Sequence, residues 1–228
     1  MARTGFFHHI GSFLLFAATI LLLVTTISAP VVDNISLLKV DLANGTSEHQ
    51  SAITFGTFGY CTIHTADGHN VCSPRKIGYN PAAVIHDDEH FSNASEDSTK
   101  ALTRVMVLHP IATGVAFIAF LLAVGAGVIG SFLGALVSLV AFLITVIVLI
   151  TDFVLFHIVK KHVNDDLRGA SAKYGVGLWL ILAAAIALLI GTLVVFFTCC
   201  SARLHRSRNH SNKVDPAYVA QPRRRRFF

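Results

Sequence analysis

Charge is scarce in this sequence. Asp, Glu, Lys and Arg make up only 14% of the 228 residues, against roughly 25% in an ordinary soluble domain, whereas 54% are hydrophobic. So few charged side chains cannot cover a soluble domain of this size, and the composition also excludes disordered and collagen-like chains. With four cysteines, the chain is not a disulfide-dense secreted module either.

Recognisable catalytic motifs are missing too. The sequence contains no His-Glu-x-x-His zinc motif, no Gly-x-Ser-x-Gly elbow and no phosphate-cradling Gly-Lys loop. His86 and His90 could grip a divalent metal from one face of a helix, but a solvated acidic strip is the simpler interpretation of residues 86–90. We therefore expect no enzyme, no catalytic residue, no cofactor and no metal site.

The hydrophobic residues are concentrated in three long blocks. A helix of about 20 apolar residues crosses the ~30 Å hydrocarbon core once, and the middle block is more than twice that length. It must therefore fold back, and four glycines within residues 125–134 favour a reversal there. We predict four transmembrane helices joined by a short cytoplasmic turn at 129–134; the crossings are 10–29, 107–128, 135–158 and 175–198.

Positive charge predicts which side of the membrane each segment occupies. The tail 199–228 holds eight Lys or Arg and one acid, and short basic segments stay in the cytoplasm. The N-terminus 1–9 then shares that side, and loops 30–106 and 159–174 lie outside. We expect a multi-pass plasma-membrane protein with both termini cytoplasmic. In the alternative interpretation, residues 1–29 are a cleaved signal peptide.

The basic tail carries two further candidate features. Cys199 and Cys200 lie where the last helix meets the cytoplasm, which is the usual context of S-acylation; ordinary reduced thiols are the alternative. Seven arginines are candidates for contact with anionic inner-leaflet lipids, although an ordinary positive-inside tail would look the same. They are Arg203, Arg206, Arg208, Arg223, Arg224, Arg225 and Arg226. A nucleic-acid partner is not expected.

The loop 30–106 is long enough to fold. Leu38, Val40 and Leu42 alternate with polar residues, which predicts a strand, and 53–63 is a second extended run. The acidic stretch 86–100 indicates a mobile segment. Cys61 and Cys72 are the only cysteines on this side, where oxidation favours a disulfide over two buried thiols. The loop also carries the three sequons that we expect to be glycosylation sites: Asn34, Asn44 and Asn93.

The fold class predicted from these patterns is a membrane all-α protein. We expect a four-helix transmembrane bundle whose large extracellular loop contains a small antiparallel β-sheet pinned by the disulfide. The glycines and alanines of the apolar blocks let helices approach closely. They serve packing within one chain or between copies, so a homo-oligomer is one expectation.

The outer loop contains one group of characteristic motifs, formed by Phe55, Gly56, Phe58, Gly59, Tyr60, Cys61, Cys72, Gly78 and Tyr79. This group resembles the fungal Sur/PalI family of plasma-membrane tetraspans, whose general plan is shared by claudin-like proteins. The resemblance implies a non-enzymatic protein of the cell cortex that organises or assists a partner membrane protein. PalI members regulate the ambient pH response and assist a seven-helix sensor, whereas Sur members organise cortical domains that affect endocytosis and the cell wall. The motifs do not separate these two roles.

A carboxylate inside an apolar block is costly unless it is paired, protonated or hydrated. Asp152 lies about eight residues before Lys160, so we expect it roughly 12 Å inside the outer end of its helix. His109, at the outer end of the second crossing, is the candidate partner in another helix. A packing contact is the preferred interpretation. A small transporter or channel subunit that uses Asp152 is the rival from another functional class.

Overall fold

The computed structural model describes residues 6–32, 34–42, 51–64, 70–81, 84, 93–125, 127–166 and 169–211. Within these ranges the helices are α1 (Phe6–Thr26), α2 (Asn93–Val105), α3 (Leu108–Gly125), α4 (Gly127–Asp166) and α5 (Val176–Ser211). The strands are β1 (Leu38–Leu42), β2 (Ser51–Phe55), β3 (Tyr60–His64), β4 (Asn70–Cys72) and β5 (Ser171–Tyr174).

Four of these helices are long and apolar enough to cross a membrane, which confirms the predicted number of crossings and makes the chain a multi-pass membrane protein. They form a bundle in which α1 packs against α3 and α5, and α4 packs against α3 and α5. The outer faces of the bundle expose large apolar side chains such as Ile147, Ile150 and Leu193. Such faces suit lipid, because the hydrocarbon core of a bilayer cannot hydrogen-bond polar groups and therefore favours apolar side chains.

Small residues bring the helices together. A Cβ on Gly134 of α4 would stand 2.9 Å from the backbone nitrogen of Ala123 in α3, so only glycine permits this approach. Gly11 of α1 meets the side chain of Val195 in α5 in the same way. Close approach of this kind replaces the hydrophobic driving force that lipid does not provide between helices.

The predicted turn at 129–134 is wrong. These residues lie inside α4, which begins at Gly127 directly after α3 ends at Gly125. The glycines were interpreted as turn residues because glycine has low helix propensity in water. In this bundle Gly134 instead serves the contact with α3. Helix α1 also starts earlier than predicted, at Phe6. It ends at Thr26, before Pro30, because a proline ring disfavours helical backbone in the residue that precedes it.

The five strands form one antiparallel sheet in the order β4-β3-β2-β1-β5. This confirms a small antiparallel sheet between the first two crossings. The predicted strand around Leu38, Val40 and Leu42 is β1, with Leu38 and Val40 fully buried and Lys39 exposed. The extended run predicted at 53–63 is two strands instead of one, because the chain turns back at Gly56–Gly59, where the Gly56 amide donates to the Gly59 carbonyl.

Two further expectations about the loops are corrected. Residues 93–100, part of the segment interpreted as mobile, are helical in α2, whose buried face includes Thr99 and Thr103; residues 85–92 lie outside the described part of the chain. The helix predicted to end at residue 158 continues as α4 to Asp166, and the second loop, predicted at 159–174, also contains β5, which pairs with β1.

We call the five-stranded sheet together with α2 the cap domain. Its apolar side rests on the end of α4, where Leu38, Val40 and Phe55 share one buried cluster with Val159 and Val163. At 40 residues, α4 is about 60 Å long, twice the hydrocarbon thickness. One helix therefore supplies both a transmembrane segment and the support of the cap.

Some glycines of the bundle touch a neighbouring helix and others face open space, so replacement by alanine should affect their contributions to stability differently. Gly134→Ala should lower the free energy of unfolding by about 1–3 kcal/mol, because the new methyl group collides with the α3 backbone. Gly114→Ala is the matched control: a Cβ there meets nothing within 4 Å, so helix propensity should leave stability unchanged or raise it by about 1 kcal/mol or less. Thermal unfolding in detergent measures both, and equal losses would contradict the packing role.

Candidate functional site at the junction of cap and bundle

The motif Phe55–Tyr60 builds the joint between the cap domain and α1. Gly56 lies directly against the backbone of Ala29, so closely that a Cβ at this position would overlap the Ala29 carbonyl. Gly59, at the other end of the turn, leaves room for Ser73 and Pro30. Gly56 is therefore explained by close backbone approach, and Gly59 by the side chains that pack against it.

Thr57 connects this turn to the end of α1 through its own hydroxyl. The hydroxyl is buried and donates to the carbonyl of Thr25 at 2.9 Å. Because its proton is used there, Ser28 must donate to the Thr57 hydroxyl oxygen at 3.1 Å, while the Ser28 oxygen accepts from the Thr57 amide at 3.1 Å. The last turn of α1 thus obtains a partner that a helix end lacks by itself.

Tyr79 fastens the same turn from the other side. Its buried hydroxyl donates to the Gly56 carbonyl at 2.7 Å. Its own carbonyl accepts a 2.7 Å hydrogen bond from the hydroxyl of Thr103 in α2. Tyr79 therefore links the β2–β3 turn to the helix that leads into the second crossing.

A second joint lies where β5 meets α5. The amide of Gly175 donates to the Leu37 carbonyl at 2.8 Å, and the amide of Gly177 donates to the Ser36 carbonyl at 2.9 Å. A Cβ on Gly175 would overlap the Ser36 carbonyl. Each joint thus depends on a glycine at a backbone contact.

Asp152 and His109 meet beneath the cap domain. Nε2 of His109 lies 3.1 Å from Oδ2 of Asp152, and both side chains are only 1% exposed. Among the described residues, Nε2 and both carboxylate oxygens lack a well-directed hydrogen bond, so electrostatic attraction holds the pair. Nδ1 of His109 lies 3.1 Å from the Met106 carbonyl, to which it donates.

Asp152 lies farther from the end of its helix than expected, because α4 continues past Lys160 to Asp166. Leu155 and Phe156, on the next turn of α4, share one buried cluster with Tyr79. Asp152 therefore lies close to the place where the bundle meets the cap domain. Burial raises the pKa of Tyr79 far above its ordinary value, and the carboxylate of Asp152 raises it further.

The remaining residues of the motif lie around the sheet. Cys61 and Cys72 form the disulfide, which joins opposite positions of β3 and β4. Gly78 adopts a positive φ of 73°, and a Cβ there would meet the Arg104 side chain. Phe55 is fully buried in the cap core. Phe58 and Tyr60 are partly buried.

The other predicted sites are dispersed. Asn34 is exposed, and Asn93 is the first residue of α2, whereas Asn44 lies outside the described residues. Cys199 is buried and Cys200 partly buried, so Cys200 is the more accessible acylation candidate. Arg203, Arg206 and Arg208 continue α5, and Arg223, Arg224, Arg225 and Arg226 lie outside the described part of the chain.

Four buried polar residues recur every seven positions along α4: Ser131, Ser138, Thr145 and Asp152. The hydroxyls of Ser138 and Thr145 donate to carbonyls of their own helix, at 2.9 and 2.8 Å. Thr192 of α5 donates to the Ser138 oxygen at 2.9 Å. Hydroxyls used in this way are typical of helix packing. The row therefore does not favour the transporter or channel rival.

Comparison with known proteins agrees with the motif. The model of the SUR7/PalI family matches residues 7–206. The chain belongs to the SUR7/PalI family. This confirms the family identified from the motif around Cys61.

Relatives of this SUR7/PalI protein are named as pH-response regulators. It is 33% identical over 189 residues to the pH-response regulator protein palI/RIM9 of Yarrowia lipolytica, a match that covers 80% of this chain and 22% of the relative. It is 33% identical over 114 residues to palI/prr-5 of Neurospora crassa, covering 49% of this chain and 14% of the relative. The chain spans less than a quarter of the length of these two relatives.

Several residues of the junction were missed from the sequence. Thr57, Ser28 and Thr103 are common hydroxyl residues, and nothing in their spacing indicates that they meet. Thr57 alone carried a signal, because it lies inside the family motif between Gly56 and Phe58.

The Thr57 contacts predict a selective loss of stability. Thr57→Val keeps the shape of the side chain but removes the hydroxyl that donates to the Thr25 carbonyl and accepts from the Ser28 hydroxyl. The Ser28 hydroxyl proton then loses its buried acceptor, so the free energy of unfolding should fall by about 1–3 kcal/mol. Thr62→Val on β3 is the matched control, since a partly exposed strand position tolerates valine. Thermal unfolding together with protease sensitivity of residues 51–81 measures the effect. An unchanged Thr57→Val protein would show that the joint does not depend on this hydroxyl.

Proposed function

We propose that this protein is a non-enzymatic regulator of the ambient pH response in the PalI manner. It acts in the plasma membrane, with both termini cytoplasmic, by assisting a partner membrane protein such as a seven-helix pH sensor. The observation that carries the proposal is the match to the palI/RIM9 regulator of Yarrowia lipolytica across 80% of the chain.

The structure of the junction is consistent with an assisting role. The cap domain is fixed to the bundle by backbone contacts at Gly56 and Gly175, so it presents a defined surface to a partner. The bundle exposes apolar faces to lipid, where a second membrane protein can pack. Both features suit a protein that works by binding.

A Sur-type organiser of cortical domains is the second candidate. It is favoured by the family description, which joins the SUR7 and PalI branches in one model. The two roles differ in their partners: a seven-helix receptor for the pH response, and cortical domain proteins for the Sur role.

Complementation tests the proposal directly. In a Yarrowia lipolytica strain that lacks its palI/RIM9 protein, expression of this chain should restore growth at alkaline pH. A Gly56→Val variant, which disrupts the joint between cap and bundle, should fail, whereas Gly114→Ala, with open space at its Cβ, should restore growth like the wild type.

Surface delivery and orientation are measured in the same cells. Epitope tags at the two termini should be inaccessible to antibody until the cells are permeabilised. A chain that reaches the surface without restoring alkaline growth would contradict the PalI role. Recovery of cortical domain proteins from its gently solubilised membranes would then favour the Sur role.

A further inference from the structure

We propose that the Asp152–His109 pair is a protonation switch that controls the attachment of the cap domain, with the Tyr79 hydroxyl as the donor that changes partner. The biological meaning of the switch rests on the proposed role in the pH response. The switch itself is a property of the protein and is measurable without that role.

Counting protons defines the state seen in the structure. The Met106 carbonyl can only accept, so Nδ1 of His109 carries a proton. At 3.1 Å, Nε2 and the Asp152 carboxylate attract only if a second proton lies between them. The pair therefore carries one proton more than a neutral His109 beside an ionised Asp152 would carry.

Loss of that proton produces a second state. The lone pair of Nε2 would then face a buried carboxylate, and a buried charge without a partner is unfavourable. Oδ1 of Asp152 already lacks a hydrogen-bond partner among the described residues. The carboxylate therefore needs a new donor once the imidazole no longer supplies one.

The Tyr79 hydroxyl is the donor available to it. Tyr79 shares one buried cluster with Leu155 and Phe156, which lie on the turn of α4 that follows Asp152. Met106, whose carbonyl accepts from His109, belongs to the same cluster. The charge of Asp152 also contributes to the raised pKa of Tyr79. A hydroxyl has one proton to donate, and in the structure that proton goes to the Gly56 carbonyl at 2.7 Å. If Tyr79 donates to Asp152, the Gly56 carbonyl loses its partner and the joint with Ala29 is weakened.

The ionisable side chains of α1 and α5 lie away from the Asp152–His109 pair. The ionisable residues of α1, His8 and His9, lie at the opposite end of the bundle, and the sequence of α5 has none before Cys199. In the sheet, Lys39 pairs with Asp41 on the exposed face, and Tyr60 lies 6.4 Å from Tyr79, ring to ring.

The outer segments next to the pair direct their charges elsewhere. Lys100 and Arg104 of α2 are exposed, and so is Lys173 of β5. On α4, His157 contacts the Tyr174 hydroxyl at 3.4 Å, and Lys160 lies over the Tyr174 ring. An unperturbed imidazole changes charge between about pH 5 and pH 8, so the test spans and exceeds the upper part of that range.

Hydrogen exchange of the full chain in lipid nanodiscs tests the switch. Protection factors, corrected for the intrinsic pH dependence of exchange, are compared for the amides of Gly56 and Thr57 between about pH 6 and pH 8.5. In the wild type they should fall by about tenfold or more at the higher pH. In Asp152→Asn, which cannot ionise, they should not change with pH.

Asp165→Asn is the matched control, because Asp165 is an exposed acid on the same helix; it should keep the wild-type response. Tyr79→Phe should show low protection at both pH values, since the donor to Gly56 is gone. A flat wild-type profile overturns the switch even if Asp152→Asn does not fold. An equal pH response in wild type and Asp152→Asn also overturns it.

The outcome separates the switch from the proposed function. Restored alkaline growth with a flat wild-type profile would overturn the switch and leave the PalI role intact. A pH-dependent profile that Asp152→Asn abolishes, without restored growth, would support the switch and contradict the role.

Discussion

The rest of the structure depends on one contact, in which the turn between β2 and β3 lies against the end of α1. Helix α1 ends at Thr26, and its last carbonyls need donors that lipid cannot supply. Thr57 supplies one of these donors, and it can do so only because Gly56 carries no side chain where it meets Ala29. Once the turn is fixed, the positions of Cys61, of the disulfide and of Tyr79 follow from the strands that leave it.

Helix α4 explains how so small a protein combines a membrane bundle with a folded cap. The glycine-containing start of α4 packs closely on α3, and its far end, with Val159 and Val163, forms the floor of the cap core. Asp152 lies between these two regions. Its carboxylate is only 1% exposed and lies 3.1 Å from Nε2 of His109, which lowers the cost of burying it.

This arrangement connects the family relationship to a physical role. Three residues of the motif that resembles the SUR7/PalI family, Gly56, Gly59 and Tyr79, lie where two folded parts of the chain meet. A protein whose characteristic residues fix one domain on another is suited to presenting a surface.

The sequence by itself determined the four crossings, the first strand, the disulfide and the family. These depend on local properties: the length of apolar runs, alternation along Leu38–Leu42, two cysteines on one side and a compact motif. Only the tertiary structure decided that Gly134 packs instead of turning, that β5 joins the sheet from the second loop, and that Tyr79 packs with Leu155 and Phe156 of α4. These features depend on which distant surfaces meet, and a periodic pattern within one segment carries no information about the segment that will cover it.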